Sequence, residues 1–207
     1  SFASIIESEL GLSAQQVRYR AGDPTRSLIG NGTGGSRTLY GAGSAIKNLC
    51  QNIRAQAAAA IARVWQCAET DVVFENGSWH RAGAPSTRMT FATLWSQLSA
   101  QERTAFNLMG EAQSGSTFPN GCHVAELEID PQTGITEVVS YWAVDDLGRV
   151  ISPSLVRGQV HGGVVQGWGQ AFCEEVVYDE QGQLLSGSFT DYAMPRLGCM
   201  PSIRNET

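Results

Sequence analysis

Gly30-Asn31-Gly32-Thr33-Gly34-Gly35-Ser36-Arg37-Thr38 runs into an alanine-rich stretch in which Ile46, Leu49, Cys50, Ile53, Ala57, Ala60, Ile61 and Val64 mark one face of a long helix. The loop contains Gly-x-Gly-x-x-Gly at Gly30, Gly32 and Gly35, the pattern of a dinucleotide-binding turn. Such a turn follows a strand at once and is itself followed, about 20 residues on, by an acid on a second parallel strand. Here residues 23–29 intervene and the helix continues past Gln56, so a doubly wound parallel sheet is rejected. The fold class is α+β. Free backbone N–H groups, the hydroxyls of Thr33, Ser36 and Thr38, the Arg37 guanidinium and the helix start suit an anionic or polar ligand. An ordinary loop ahead of a capped helix accounts for the same residues equally well.

Upstream, Phe2, Ile5, Ile6 and Leu10 fall at helical spacing with Gly11 as a stop, and Val17, Tyr19 and Ala21 alternate with Arg18 and Arg20 as in a half-buried strand. Residues 22–36 carry loop chemistry. Downstream, residues 72–74, the Asn76-Gly77 turn and Trp79 form a hairpin, and Thr90 caps a helix bearing Phe91, Leu94, Trp95 and Leu98. Residues 101–120 are polar and turn-rich, a linker with the boundary near Gly115. Two lobes of mixed helices and hairpins are expected: 1–115, with the glycine-rich loop, and 116–207, with two hairpins around a glycine-rich helix.

In that second lobe Ala125, Leu127 and Ile129 alternate with acids, a turn follows over 131–134, and 135–144 is a more continuously apolar strand. Ser152-Pro153 starts a helix that reaches Phe172 and holds Gly158, Gly162, Gly163, Gly167 and Gly169. Each glycine costs a helix about 1 kcal/mol relative to alanine, so their missing side chains are expected to admit another backbone or a ligand. Residues 176–178, a turn at 179–183 and residues 184–192 read as the last hairpin, and 195–207 show no regular pattern.

Composition excludes several classes. With 42% hydrophobic and 16% charged residues the chain is that of a globular protein, and a net charge of -6 without a basic run argues against nucleic acid. No stretch approaches the length of a membrane span; the longest apolar run, 57–62, is flanked by Arg54 and Arg63. Glu7, Glu9 and the lack of an initiating Met read as a start in mid-protein. Cys50, Cys67, Cys122, Cys173 and Cys199 lack disulfide or zinc spacing and read as reduced, mostly packed thiols. His80, His123 and His161 share no ligand spacing, so a protein-ligated metal is not supported. Asp145 and Asp146 precede Leu147-Gly148 at a strand end and point to opposite faces, so only one can serve a given site; turn and cap acids are the favoured reading.

Six motifs occur in fixed order: Gly22-Asp23-Pro24-Thr25, Gly32 to Thr38, Thr117-Phe118-Pro119-Asn120-Gly121, Val144-Asp145-Asp146-Leu147-Gly148-Arg149-Val150-Ile151-Ser152-Pro153, Gly158-Gln159-Val160-His161-Gly162-Gly163 and Ser188-Phe189-Thr190-Asp191-Tyr192-Ala193-Met194-Pro195. Over nearly the whole chain this resembles the molybdopterin-binding large subunit of the molybdenum hydroxylases, the xanthine oxidase family, in its bacterial branch with aerobic carbon monoxide dehydrogenase and quinoline oxidoreductase.

The resemblance implies a molybdenum cofactor, in bacteria a molybdopterin cytosine dinucleotide, whose metal is held by the pterin and not by side chains. It places Thr33, Gly34, Gly35, Ser36, Arg37 and Thr38 against that cofactor, with Asp145, Asp146, Leu147, Gly148, Ser152 and Gln159 as further contacts. Family members often carry Cys at the position of Leu147 and Asn at that of Ser152. The family's Gly-Gln-Gly loop is expected ahead of Ser1, and its Gly-x-Gly-Glu segment, with the catalytic glutamate, beyond Thr207. Glu174 and Glu175 lack that context and read as surface or helix-end residues. The chain is thus expected to be a C-terminal portion of a large subunit, inactive alone and without a catalytic residue of its own. In the intact enzyme it would oxidise an aldehyde, an N-heterocycle or carbon monoxide. Partners implied are the rest of the large subunit and iron-sulfur and FAD subunits, in the cytoplasm or periplasm. A non-catalytic molybdopterin-binding module or a cofactor-assembly protein are the rivals.

Overall fold

The computed structural model describes residues 1–207 except 24, 26–29 and 31, so part of the loop expected over 22–36 lies outside the described residues. The chain forms two compact units, Ser1–Ser116 and Thr117–Thr207.

The first unit opens with α1 (Phe2–Leu10), closed by left-handed Gly11 at φ 69°, whose N–H donates to the Glu7 carbonyl. A 3-10 turn, Ala14–Gln16, follows. The strand expected over 17–21 does not form. Alternation makes a strand only where a neighbouring ladder takes up its backbone groups, and these residues pair with none among the described strands. Tyr19 instead lies with its ring 5.5 Å from that of Phe2.

Helix α2 (Thr38–Trp65) buries Cys50, Ala57, Ala60 and Ile61 as the apolar stripe requires. Its last turn departs from expectation: Ala62 is buried and Val64 is 48% exposed, next to left-handed Gln66, where the chain reverses. Strands β1 (Val72–Glu75), β2 (Ser78–Arg81) and β3 (Ala84–Met89) form an antiparallel sheet in that order. Asn76 and Gly77 both have positive φ, as a two-residue hairpin turn demands. The third strand had no counterpart in the sequence reading. Trp79, Met89, Leu94 and Leu98 close the core against Ala57, Ala60 and Ile61. Helix α3 (Phe91–Gln97) is capped by Thr90, whose hydroxyl accepts from the Thr93 N–H at 3.2 Å.

The linker expected from residue 101 begins instead with a helix, α4 (Ala100–Ala105). Its start is a reciprocal cap: Ser99 N–H donates to Glu102 Oε2 at 2.9 Å, and Glu102 N–H to Ser99 Oγ at 3.3 Å. The Ser99 N–H and the Ser99 hydroxyl, which donates to Glu102 Oε2 at 2.8 Å, and then the charge of Arg63 hold the Glu102 carboxyl below its ordinary range. A depressed carboxylate contributes stability above its unfolded value, and that contribution is lost as pH falls through the folded one. Ser99→Ala is therefore expected to destabilise the chain by about 1 kcal/mol at neutral pH, and by less at pH values where Glu102 is protonated. Urea titrations at both pH values read this; an unchanged difference would contradict it.

In the second unit, β4 (Asn120–Ile129) and β5 (Thr136–Asp146) make the expected long hairpin, with a register shift between Glu126 and Leu127. The C-terminal segment is not irregular: β6 (Ile203–Glu206) pairs parallel to β5, Tyr141 opposite Ile203. The hairpin expected over 176–192 reduces to one bridge, Tyr178 to Leu184, because Ser186 Oγ accepts the Val177 N–H and a turn at 188–192 ends the ladder.

Helix α5 (Pro153–Phe172) carries all five glycines. A side chain on Gly169 would meet Pro195 Cγ at 2.6 Å and Glu174 Oε1 at 2.8 Å, whereas at Gly158, Gly162, Gly163 and Gly167 it would meet nothing within 4 Å. Close approach within the chain thus occurs at one of the five. All five cysteines are free; Cys50 is buried and Cys67 and Cys173 are half-buried, but Cys122 and Cys199 are exposed, so the expected packing fails at those two. Among the described residues no helix is long and apolar enough to cross a membrane.

Candidate functional site

In the first unit the loop ahead of α2 is ordered by its own polar groups. The hydroxyls of Thr33 and Thr38 lie 2.9 Å apart, and the Arg37 guanidinium donates to the Gly32 carbonyl at 3.1 Å. Gly35 and Ser36 are both left-handed, at φ 56° and 57°, so the chain folds sharply there and enters the helix with Arg37 at its N-cap. Arg37 N–H turns back to Gly34 O, and Gly41 N–H makes the first helical bond, to Arg37 O. The N–H groups of Thr38, Leu39 and Tyr40 therefore precede the helical ladder. Residues 32–38 are exposed, and among the described residues a side chain on Gly32, Gly34 or Gly35 would meet nothing within 4 Å. The result is an exposed backbone with three hydroxyls and the positive end of a 28-residue helix dipole.

The other expected contacts belong to the second unit. Asp145 and Asp146 end β5 on opposite faces, as their adjacency requires. Asp146 Oδ1 accepts the Gly148 N–H at 3.0 Å, closing a turn in which Gly148 is left-handed at φ 69°. Leu147 is 40% exposed. Ser152 caps α5 by position, without a side-chain cap bond, and Gln159 is exposed on that helix. Glu174, one residue beyond the Cys173 cap of α5, is half-buried; it accepts from the Tyr192 hydroxyl at 3.1 Å. Desolvation, and then Glu174, push that hydroxyl above its ordinary range. Among the described residues no group of three His, Cys, Asp or Glu side chains is disposed to hold a metal ion.

One cluster escaped the sequence reading. His123 lies between Tyr141 and Asp145: its Nδ1 is 3.0 Å from the Tyr141 hydroxyl, and its Nε2 is 3.2 Å from Asp145 Oδ1. A side chain on Gly121, which pairs with Asp145, would collide with Asp145 Oδ1.

The molybdopterin cofactor-binding domain family matches residues 1–201. The nicotine 6-hydroxylase large subunit of Paenarthrobacter nicotinovorans is 31% identical over 97% of this chain and 26% of its own length. The carbon monoxide dehydrogenase large chain of Hydrogenophaga pseudoflava is 32% identical over 94% of this chain and 25% of its own. The crystal structure of a Cu,Mo-CO dehydrogenase superimposes with a TM-score of 0.87 at 29% identity, covering 99% of this chain and 26% of that one. Quinoline 2-oxidoreductase from Pseudomonas putida 86 gives 0.82 at 32%, covering 99% and 27%. The chain spans about a quarter of the length of the relatives it matches. A family match over nearly the whole chain, on a fold shared at this level, leaves one assignment: the chain belongs to the molybdopterin cofactor-binding domain family, the domain found in the large subunits of molybdenum hydroxylases and carbon monoxide dehydrogenases.

Proposed function

We propose that the chain helps bind a molybdopterin cytosine dinucleotide in the large subunit of a molybdenum oxidoreductase, with Thr33, Gly34, Gly35, Ser36, Arg37 and Thr38 as contacts. The carrying observation is the open backbone of residues 32–38 at the start of α2. The donor set fits the group: N–H groups ahead of the helical ladder and the hydroxyls of Thr33 and Thr38 suit phosphate and pterin oxygens, and the glycines leave room for close approach. When bound, the cofactor supplies two-electron oxidation of a small substrate. This chain's residues bind and orient it.

From the second unit we propose Asp145, Asp146, Leu147, Gly148, Ser152 and Gln159 as further contacts of that cofactor. Asp146 has its carboxylate engaged by Gly148, so its part is to shape the 146–148 turn and present backbone. The exposed Val124, Leu127, Ile129, Val139 and Val144 of the β4–β5 hairpin suit burial against the rest of a large subunit. Iron-sulfur and FAD subunits would carry electrons away. Free cysteines, two of them exposed, favour the reducing cytoplasm over the periplasm.

Acid release of bound nucleotide, with molybdenum analysis of the purified holoenzyme, tests this. Stoichiometric molybdenum and cytosine nucleotide are expected. A protein that folds and assembles but carries neither would overturn the reading.

A further inference from the structure

Asp145 is one of the proposed cofactor contacts, yet its side chain is already committed. It is half-buried and turned back over Gly121, where its carboxylate faces His123 Nε2. The His123 ring, edge-on to Tyr141 with centroids 5.7 Å apart, has its other nitrogen at the Tyr141 hydroxyl. A carboxylate only accepts, so the neutral ring must carry its proton on Nε2, and the Tyr141 O–H then donates into Nδ1. The three groups form one chain of bonds, Tyr141 to His123 to Asp145, on one face of the hairpin.

The register makes this a built arrangement. Ile129 pairs with Thr136 and Leu127 with Val138, but Glu126 pairs with Ser140, which leaves Val139 as an extra residue on β5. Had the pairing run on unbroken, His123 would stand opposite Trp142, with Ser140 and Val144 as its diagonal neighbours. The bulge turns β5 over by one residue. It puts Ala143, the smallest side chain available in that stretch and fully buried, opposite His123, and brings Tyr141 and Asp145 to its two sides. Gly121 leaves the space into which the carboxylate folds.

We infer that His123 is a positioning residue: with its tautomer set by the Asp145 carboxylate and its ring held by the Tyr141 hydroxyl, it holds that carboxylate against Gly121 and so fixes the end of β5, from which the 146–148 turn offers its backbone to the cofactor. This rests on the proposed function of that segment. It revises the part of Asp145, from a side chain that touches the cofactor to one that anchors the turn which does.

The test has two readouts. In 15N NMR of the full chain, neutral His123 is expected as the Nε2–H tautomer, and Asp145→Ala, which leaves only a hydroxyl that can donate or accept, is expected to yield a mixture of tautomers. In the intact holoenzyme, His123→Leu is expected to retain molybdenum and nucleotide about tenfold less well. His123→Gln, which keeps a donor toward Asp145, is expected to recover much of that loss. Asp145→Ala combined with His123→Leu is expected to be no worse than either alone, as for groups acting through one bond. An Nδ1–H tautomer in the unsubstituted chain, or full cofactor in folded His123→Leu, overturns the inference. Should His123→Leu fail to fold, Tyr141→Phe carries the second readout, with full cofactor in that variant counting against it. Gly35→Val separates this failure from that of the proposed function: loss of cofactor there, with none in the His123 variants, leaves the cofactor loop standing and removes only the role of His123.

Discussion

Gly11→Ala is expected to destabilise the first unit by about 2–5 kcal/mol, the sum of a left-handed alanine at about 1–2 and overpacking at about 1–3. Gly11 ends α1 at φ 69°, and a side chain there would run into the Cα of Gly77, itself left-handed at φ 74° in the β1–β2 turn. Two glycine backbones thus press together, and neither has a side chain that can move aside. The hairpin that Gly77 closes also carries Trp79, 1% exposed at the centre of the core, so the strain reaches the packing that holds the unit. Gly83→Ala is the control. Gly83 has φ 78° but nothing within 4 Å of a new side chain, so it meets the conformational cost alone. Urea unfolding of the full chain should show Gly11→Ala with clearly the lower midpoint; equal midpoints would mean that the α1–hairpin contact contributes nothing.

Several elements were legible because their signals are local. Helix α1 announces itself by spacing and a terminal glycine, the β1–β2 turn by Asn76-Gly77, and α3 by Thr90. The capping box Ser99-x-x-Glu102 was equally local, but the surrounding polarity masked it. What could not be read depends on partners distant in sequence. Residues 17–21 alternate as well as any strand yet find no ladder, whereas β6 is four residues long and exists because β5 is beside it. The site divides in the same way. The glycines of 32–38 and the turn at 146–148 show in the sequence, but the Tyr141–His123–Asp145 alignment requires a bulge at Val139, which no residue type there marks. Without it His123 would face another set of neighbours, so a lone histidine in an alternating strand gave no hint of its role.

Gly35→Val is expected to empty the cofactor site while leaving the chain folded. Among the described residues a side chain at Gly35 has open space, so the substitution clashes with none of them. Valine is nonetheless poorly suited to φ 56°, and its branched side chain projects where the pterin is proposed to approach. Gly35→Asn separates the two effects, because asparagine tolerates the left-handed region and should keep the Thr33–Thr38 and Arg37–Gly32 bonds. If close backbone approach is what the cofactor needs, both variants lose it. Overlap of about 1–3 kcal/mol corresponds to roughly fivefold to somewhat over hundredfold weaker retention. A conservative change at Leu147, whose side chain offers no hydrogen bond, should do far less.

The central claim is that residues 32–38 form the wall against which the molybdenum cofactor lies. Its most direct test is the molybdenum and released cytosine nucleotide per mole of folded, intact holoenzyme carrying Gly35→Val or Gly35→Asn. Both are predicted to fall together, about fivefold or more, in each variant. A full complement of molybdenum and nucleotide in a folded Gly35→Val protein would contradict the claim and make the loop a scaffold element.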